Sequence, residues 1–187
     1  MKLINKFREK HHYGRYKIVK GLIEGKNKEL LDIGCGPPSD SMLPGSFLRY
    51  IGYGTGMDIV DREIPFPFIL GNMEKIPFKD KSFGVISCLE VIEHVHDPEK
   101  ALNELSRVLK DDGIAIVTTP NNHLFFKVFW FLWERIIGGQ WAHTHIYSFN
   151  RKGWLNFINK NGNFKVTYLK NYWGVNIIMR LEKVKMP

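Results

Sequence analysis

Residues 30–40 read LLDIGCGPPSD, and the fold follows from how this stretch is read. Leu30-Leu31-Asp32-Ile33 is a short apolar run without alternation, the pattern of a strand covered on both faces of a parallel sheet. Gly34 and Gly36 then permit a sharp turn and a close approach of backbone to a ligand. A strand that runs into a glycine turn is where open α/β sheets hold nucleotide-like ligands.

Working outward, residues 13–24 (YGRYKIVKGLIE) suit a short amphipathic helix with Tyr16, Val19, Leu22 and Ile23 on one side. YIGYGTGMDIV (50–60) reads as a second strand ending at Asp58, FPFILGN (66–72) as a third, and SFGVISCL (82–89) as a fourth that turns helical around Val91. In DPEKALNELSRVLKDDG, Asp97 suits an N-cap and Pro98 the first helical position. Ala101, Leu102, Leu105, Val108 and Leu109 recur at helical spacing, and Gly113 is the expected stop. IAIVTTP (114–120) is a fifth strand, LFFKVFWFLWERII (124–137) an aromatic-rich helix and RKGWLNFINKNG (151–162) another. FKVTYLKNY and GVNIIMRLEKV close the chain as an antiparallel pair across Trp173-Gly174. The order predicts an α/β, doubly wound, mostly parallel sheet of seven strands with one antiparallel strand.

The glycine turn lacks the signatures of phosphate loops. No Lys-Ser/Thr follows it, and Ser39 stands where a dinucleotide fingerprint needs its third glycine. Pro37-Pro38 also removes two backbone N–H donors. Asp58, at the end of the next strand, can accept hydrogen bonds from ribose hydroxyls. The pattern therefore fits a ligand with a ribose but no pyrophosphate, such as an adenosyl sulfonium. Asp32 can face its cationic end.

LLDIGCG, GMDIV and GNMEKIPFKDKSFGVISCLEVIEHVHDPEKALNELSRVLKDDGIAIVTTPN, in this order, resemble the class I S-adenosylmethionine-dependent methyltransferases. The resemblance is strongest to the small-molecule branch that holds the ubiquinone- and menaquinone-type enzymes, and it spans roughly residues 28–165. It implies the Rossmann-like methyltransferase fold and S-adenosylmethionine as cofactor. Asp32, Gly34, Cys35 (through its backbone) and Gly36 would line the methionine end, Asp58 would hold the ribose, and Ile59 would pack on the adenine. Asn72, Met73 and Glu74 would flank the ring, Asn72 standing where the family usually has Asp. Leu89 and Glu90 would border the sulfonium. PPSDSMLPGSFLRY departs from the pattern, because Pro44-Gly45 breaks a crossover helix.

Methyl transfer needs alignment and exclusion of water, and a general base only where the acceptor must lose a proton. Glu90, Glu93, His94, His143 and His145 are the titratable candidates. His94 reads as a packing residue. Glu90 and the His143–His145 pair, in the acceptor-pocket segment HTHIYSFN, are the expected catalytic groups. The histidines lack zinc-type spacing, so no metal is expected. Cys88 follows Ser87, not Pro, and SCLEV replaces the Asn/Asp-Pro-Pro-Tyr of exocyclic-amine enzymes, which sets two nucleic-acid subtypes aside.

One methyltransferase domain is expected over 1–187, with residues 1–27 a helical extension and 122–150 a lid over the acceptor. The helix at 124–137 is too short to span a bilayer. It suits a small apolar or aromatic acceptor, and a peripheral membrane contact is its sharper reading. Lys and Arg total 27 against 19 Asp and Glu, a net charge of +8. That field attracts anions, so a tRNA or rRNA methyltransferase is the competing enzyme reading, beside a non-catalytic cofactor-binding regulator. Two cysteines and no apolar leader predict a cytoplasmic protein without a disulfide framework.

Overall fold

The structure, a computed structural model, describes residues 2–25, 29–36, 46–61, 63–122, 147 and 149–184. Helix α1 (Lys2–Ile23) leads into strand β1 (Leu30–Ile33), helix α2 (Phe47–Ile51) and strands β2 (Thr55–Asp58) and β3 (Phe68–Leu70). Strand β4 (Phe83–Leu89), a 3-10 turn (Ile92–His94), helix α3 (Pro98–Val108) and strand β5 (Leu109–Pro120) follow. Helix α4 (Arg151–Asn161) and strands β6 (Phe164–Tyr172) and β7 (Asn176–Lys183) complete the described elements.

The sheet has seven strands in the order β3-β2-β1-β4-β5-β7-β6. All neighbours are parallel except β7, which runs antiparallel to both β5 and β6. This is the expected doubly wound sheet. Side chains alternate between two apolar layers, as the period of two requires. Leu31, Ile33, Ile86, Cys88, Ala115 and Val117 face one layer, closed by α3 and α4 through Leu102, Leu105 and Trp154. Leu30, Val85, Ile114, Ile116 and Ile178 face the other, closed by α1 through Tyr16, Val19 and Ile23 and by α2 through Phe47 and Leu48. The N-terminal helix is thus longer than the expected 13–24, and it is one wall of the core.

Two boundaries differ from expectation for local reasons. Residues 50–54 do not begin a strand. Ser46 caps α2 by accepting from the Arg49 amide, and Gly52 ends it with φ 85, donating to the Leu48 carbonyl. Gly113 does not stop α3. Leu109 already takes an extended conformation and pairs with Phe83, so β5 starts there. The register of that ladder shifts between Phe83 and Val85, and a Cβ on Gly113 would sit 3.0 Å from the Gly84 carbonyl oxygen. Gly113 serves the irregular pairing, not the helix end. The caps of α3 and α4 are as expected: Asp97 accepts from the Lys100 amide, Pro98 opens the first turn, and Gly162 closes α4 with φ 80.

Candidate functional site

The chain winds outward from β1 through β2 to β3, then returns to place β4 on the other side of β1. The crevice at the carboxyl ends of β1 and β4 is therefore the topological switch point, where open α/β sheets bind ligands.

On its β1–β2 side, Gly34 and Gly36 both have positive φ, 67 and 70. They differ in surroundings. A Cβ on Gly34 would lie 2.2 Å from Val91 Cγ2, whereas a Cβ on Gly36 would meet nothing within 4 Å among the described residues. Gly34 is a packing glycine, and no described residue crowds Gly36. The Gly34 and Cys35 amides donate to the Met57 carbonyl at 2.7 and 3.2 Å, which ties the turn to β2. The Gly36 amide donates to Asp58 Oδ2 at 3.1 Å, and the Val60 amide to Asp58 Oδ1 at 3.0 Å. The glycine turn and the acidic tip of β2 are thus one unit.

Asp32 lies beneath the turn on the α1 side of the sheet, buried and accepting from Ser87 Oγ on β4 at 2.5 Å. Burial pushes its carboxyl from 3.8 up to about 7, against the Ser87 hydrogen bond and with the help of the Asp58 charge. Cys35 is buried, with its sulfur turned toward Gly56. Ile59 is 72% exposed beside Asp58.

The Asn72–Glu74 segment is placed differently from expectation at its side chains. Met73 is in the core, with its sulfur 3.7 Å from Cys88 Sγ. Glu74 accepts from the His96 and Asp97 amides at the entry to α3, and Asn72 Oδ1 accepts from the Glu74 amide. Met73 therefore has only its backbone to present at this edge of the sheet.

On the β4–β5–β7 side, Leu89 ends β4 and Glu90 follows with φ 61, a left-handed conformation uncommon for this residue type. Three partners hold its carboxylate: Thr118 Oγ1 at 2.7 Å, Asn176 Nδ2 at 2.8 Å and Arg15 Nη1 at 3.1 Å. Acting as a base would cost Glu90 those bonds, so its geometry is that of an anchor. Glu93 is buried, and that burial, with the Glu90 charge beside it, raises its carboxyl well above the usual range. His94 stays partly exposed, 4.0 Å from Glu93. The catalytic candidates His143 and His145, the helix expected at 124–137 and most of the 122–150 lid lie outside the described residues.

The sequence does not single out Arg15, His11, Ser87 and Asn176, which the structure places at this end of the sheet. Arg15 precedes Tyr16 and stands four residues before Val19, next to the apolar stripe of α1. That position was the available signal.

Residues 31–117 match the family model described as a methyltransferase domain. An uncharacterized protein of Methanocaldococcus jannaschii is 33% identical over 132 residues, covering 66% of this chain and 48% of that protein. The ubiquinone biosynthesis O-methyltransferase of Coxiella burnetii is 23% identical over 152 residues, covering 72% of this chain and 62% of that enzyme. The chain spans about half the length of the first of these and under two thirds of the second. Among solved structures, the 1,6-didemethyltoxoflavin-N1-methyltransferase of Burkholderia thailandensis, determined with bound 1,6-didemethyltoxoflavin and S-adenosylhomocysteine, superposes with a TM-score of 0.67. It is 14% identical and covers 98% of this chain and 88% of that one, which is a likeness of fold.

Proposed function

We propose, from the premise that this chain belongs to the class I S-adenosylmethionine-dependent methyltransferases, that it transfers a methyl group to a small apolar or aromatic acceptor. The observation that carries the reading is the bond from the Gly36 amide to the Asp58 carboxylate, with no described residue crowding Gly36. It joins a backbone-lined turn to a ribose-accepting acid, which is the donor and acceptor set an adenosine needs. The residues present fit S-adenosylmethionine: Gly36 leaves room a side chain would fill, and buried Asp32 offers a carboxyl to a cationic end.

When bound, S-adenosylmethionine supplies an activated methyl group on sulfur for in-line displacement. In this reading Asp58 accepts from the ribose hydroxyls and Ile59 packs on the adenine. Asn72, the Met73 backbone and Glu74 flank the ring. Asp32, Gly34, Cys35 and Gly36 surround the methionine portion. Leu89 and Glu90 form the wall toward the acceptor, Glu90 by holding Arg15, Thr118 and Asn176 in place. His143 and His145 receive a proton where the acceptor must lose one. Residues 122–150 cover the acceptor and exclude water, within one domain spanning 1–187.

Calorimetric titration with S-adenosylhomocysteine tests the cofactor reading. Asp58→Ala removes the acceptor for two ribose hydroxyls, each bond to a charged group being worth about 1.5–3 kcal/mol, so affinity should fall about a hundredfold or more. A folded protein that gives no heat, or an Asp58→Ala variant that binds as wild type, rejects it.

A further inference from the structure

The positive charge of the chain is concentrated, not spread. Helix α1 carries seven Lys and Arg against one Glu over Lys2–Ile23, a net +6 of the chain's +8, so all other residues together sum to +2. One side of the helix buries Tyr16, Val19 and Ile23 against the sheet, and Arg15 turns inward to Glu90. Lys10, Tyr13, Lys17 and Lys20 stand on the other side, three, four and three residues apart, and all four are exposed. The row runs about 15 Å along the helix. Among the described residues none of these three lysines forms an ion pair, whereas Lys81, Arg107, Lys110, Arg180 and Lys183 all do. Lys17 and Lys20 also form a like-charge pair at i, i+3, which works against the helix. Such a row is matched only by an anionic partner from outside the fold.

The aromatic rings beside the row decide between partners. Tyr13 is 50% exposed, and its ring lies 6.0 Å from that of Tyr50. Tyr50 is in turn 5.7 Å from Tyr16, with Lys20 Nζ 6.0 Å from its centroid. The Tyr50 ring is engaged by protein neighbours and is not the free stacking platform that single-strand nucleic-acid binders use. The flank of a helix is also convex, where a nucleic-acid strand follows a charged groove. Lysines in a row with an exposed tyrosine among them suit a flat anionic surface, since tyrosine rings settle at the level of lipid headgroups.

We propose that the outer side of α1 docks on an anionic lipid membrane, with Lys10, Lys17 and Lys20 against the headgroups and Tyr13 set between them. The helix does not insert. Its apolar side stays on the sheet, where Val19 is fully buried, so binding is electrostatic, reversible and weakened by salt. This docking is independent of the cofactor reading above.

Co-sedimentation with vesicles of phosphatidylcholine alone, and of phosphatidylcholine containing one third phosphatidylserine, tests it. Wild type should partition at least about tenfold better onto the anionic vesicles, and added salt should release it. Each lysine near such a surface is worth about fivefold, so Lys10→Gln, Lys17→Gln and Lys20→Gln combined should weaken partition about a hundredfold. Lys152→Gln, Lys160→Gln and Lys165→Gln remove the same charge from exposed positions on α4 and β6, and together should cost less than about fivefold. Thermal unfolding of both triple variants should match wild type, because all six side chains are exposed. The wild-type comparison of the two vesicles stands without either variant. Equal partition onto both vesicles, no binding to either, or equal losses in the two triple variants overturns the proposal. Tighter binding of a single-stranded oligouridine than of anionic vesicles, lost in the α1 variant, overturns it in favour of nucleic acid.

Discussion

At the scale of single residues, the two glycines of the turn differ in what surrounds them. Gly34→Ala forces a methyl group against Val91 at a positive φ, and strain of that kind costs about 1–3 kcal/mol before the clash is counted. Thermal unfolding should register a large loss of stability. Gly36→Ala meets no atom of the described residues, so its stability loss should be limited to the strained backbone, yet S-adenosylhomocysteine affinity should fall at least tenfold by calorimetry. Equal effects of both changes on stability, with affinity untouched, would argue that Gly36 faces no ligand. Asp32 adds a pH signature. Its folded pKa of about 7 exceeds the ordinary 3.8, so the folded state binds its proton more tightly than the unfolded chain. Stability from this group is full below about pH 4 and is lost as pH rises toward 7. Asp32→Asn should flatten the denaturation midpoint across that window. These roles were partly legible: Asp32, Gly34, Gly36 and Asp58 fall within one recognisable strand-and-turn pattern. The fate of each glycine was not, because it depends on Val91, more than fifty residues away in the chain.

At the scale of elements, α1 is pinned to the end of β6. Tyr172 Oη donates to the His11 carbonyl at 3.1 Å, and it reaches that carbonyl only because Gly14 has no side chain; a Cβ there would stand 2.2 Å from the hydroxyl. Glycine inside a helix costs about 1 kcal/mol relative to alanine, so Gly14→Ala would stabilise a free helix. Here it should destabilise, and Tyr172→Phe in the same protein should recover most of the loss in a double-mutant cycle followed by chemical denaturation. On the opposite layer, Arg107 ties α3 to the loop before β4 through Glu104, Asp80 and the carbonyls of Ile76 and Phe78. Helix α3 was legible because its apolar spacing and cap are local. The start of β5 at Leu109 was not, since a residue at helical spacing became a strand by pairing with distant Phe83. Arg15 escaped for a related reason: its partner Glu90 lies on another element, and sequence spacing carries no trace of that distance.

For the whole molecule, the seven-stranded doubly wound sheet was readable from the alternation of short apolar runs and helices, because that pattern has few other solutions. The net charge of +8 has a separate consequence. Gel shifts should show weak attraction to RNA, of the order of 10⁻⁴–10⁻⁶ M at physiological salt, independent of S-adenosylhomocysteine and abolished by added salt. Binding that survives salt and strengthens with S-adenosylhomocysteine would instead favour an RNA acceptor.

The tether between Tyr172 and His11 joins positions 161 residues apart. During synthesis the first helix therefore leaves the ribosome long before the hairpin it leans on exists. Until then its Arg15 lacks the scaffold that Asn176 gives to Glu90, and a truncated nascent chain carries the glycine turn without a finished neighbour. The Arg15–Glu90–Asn176 cluster is thus completed late, with strands β6 and β7, rather than with the glycine turn.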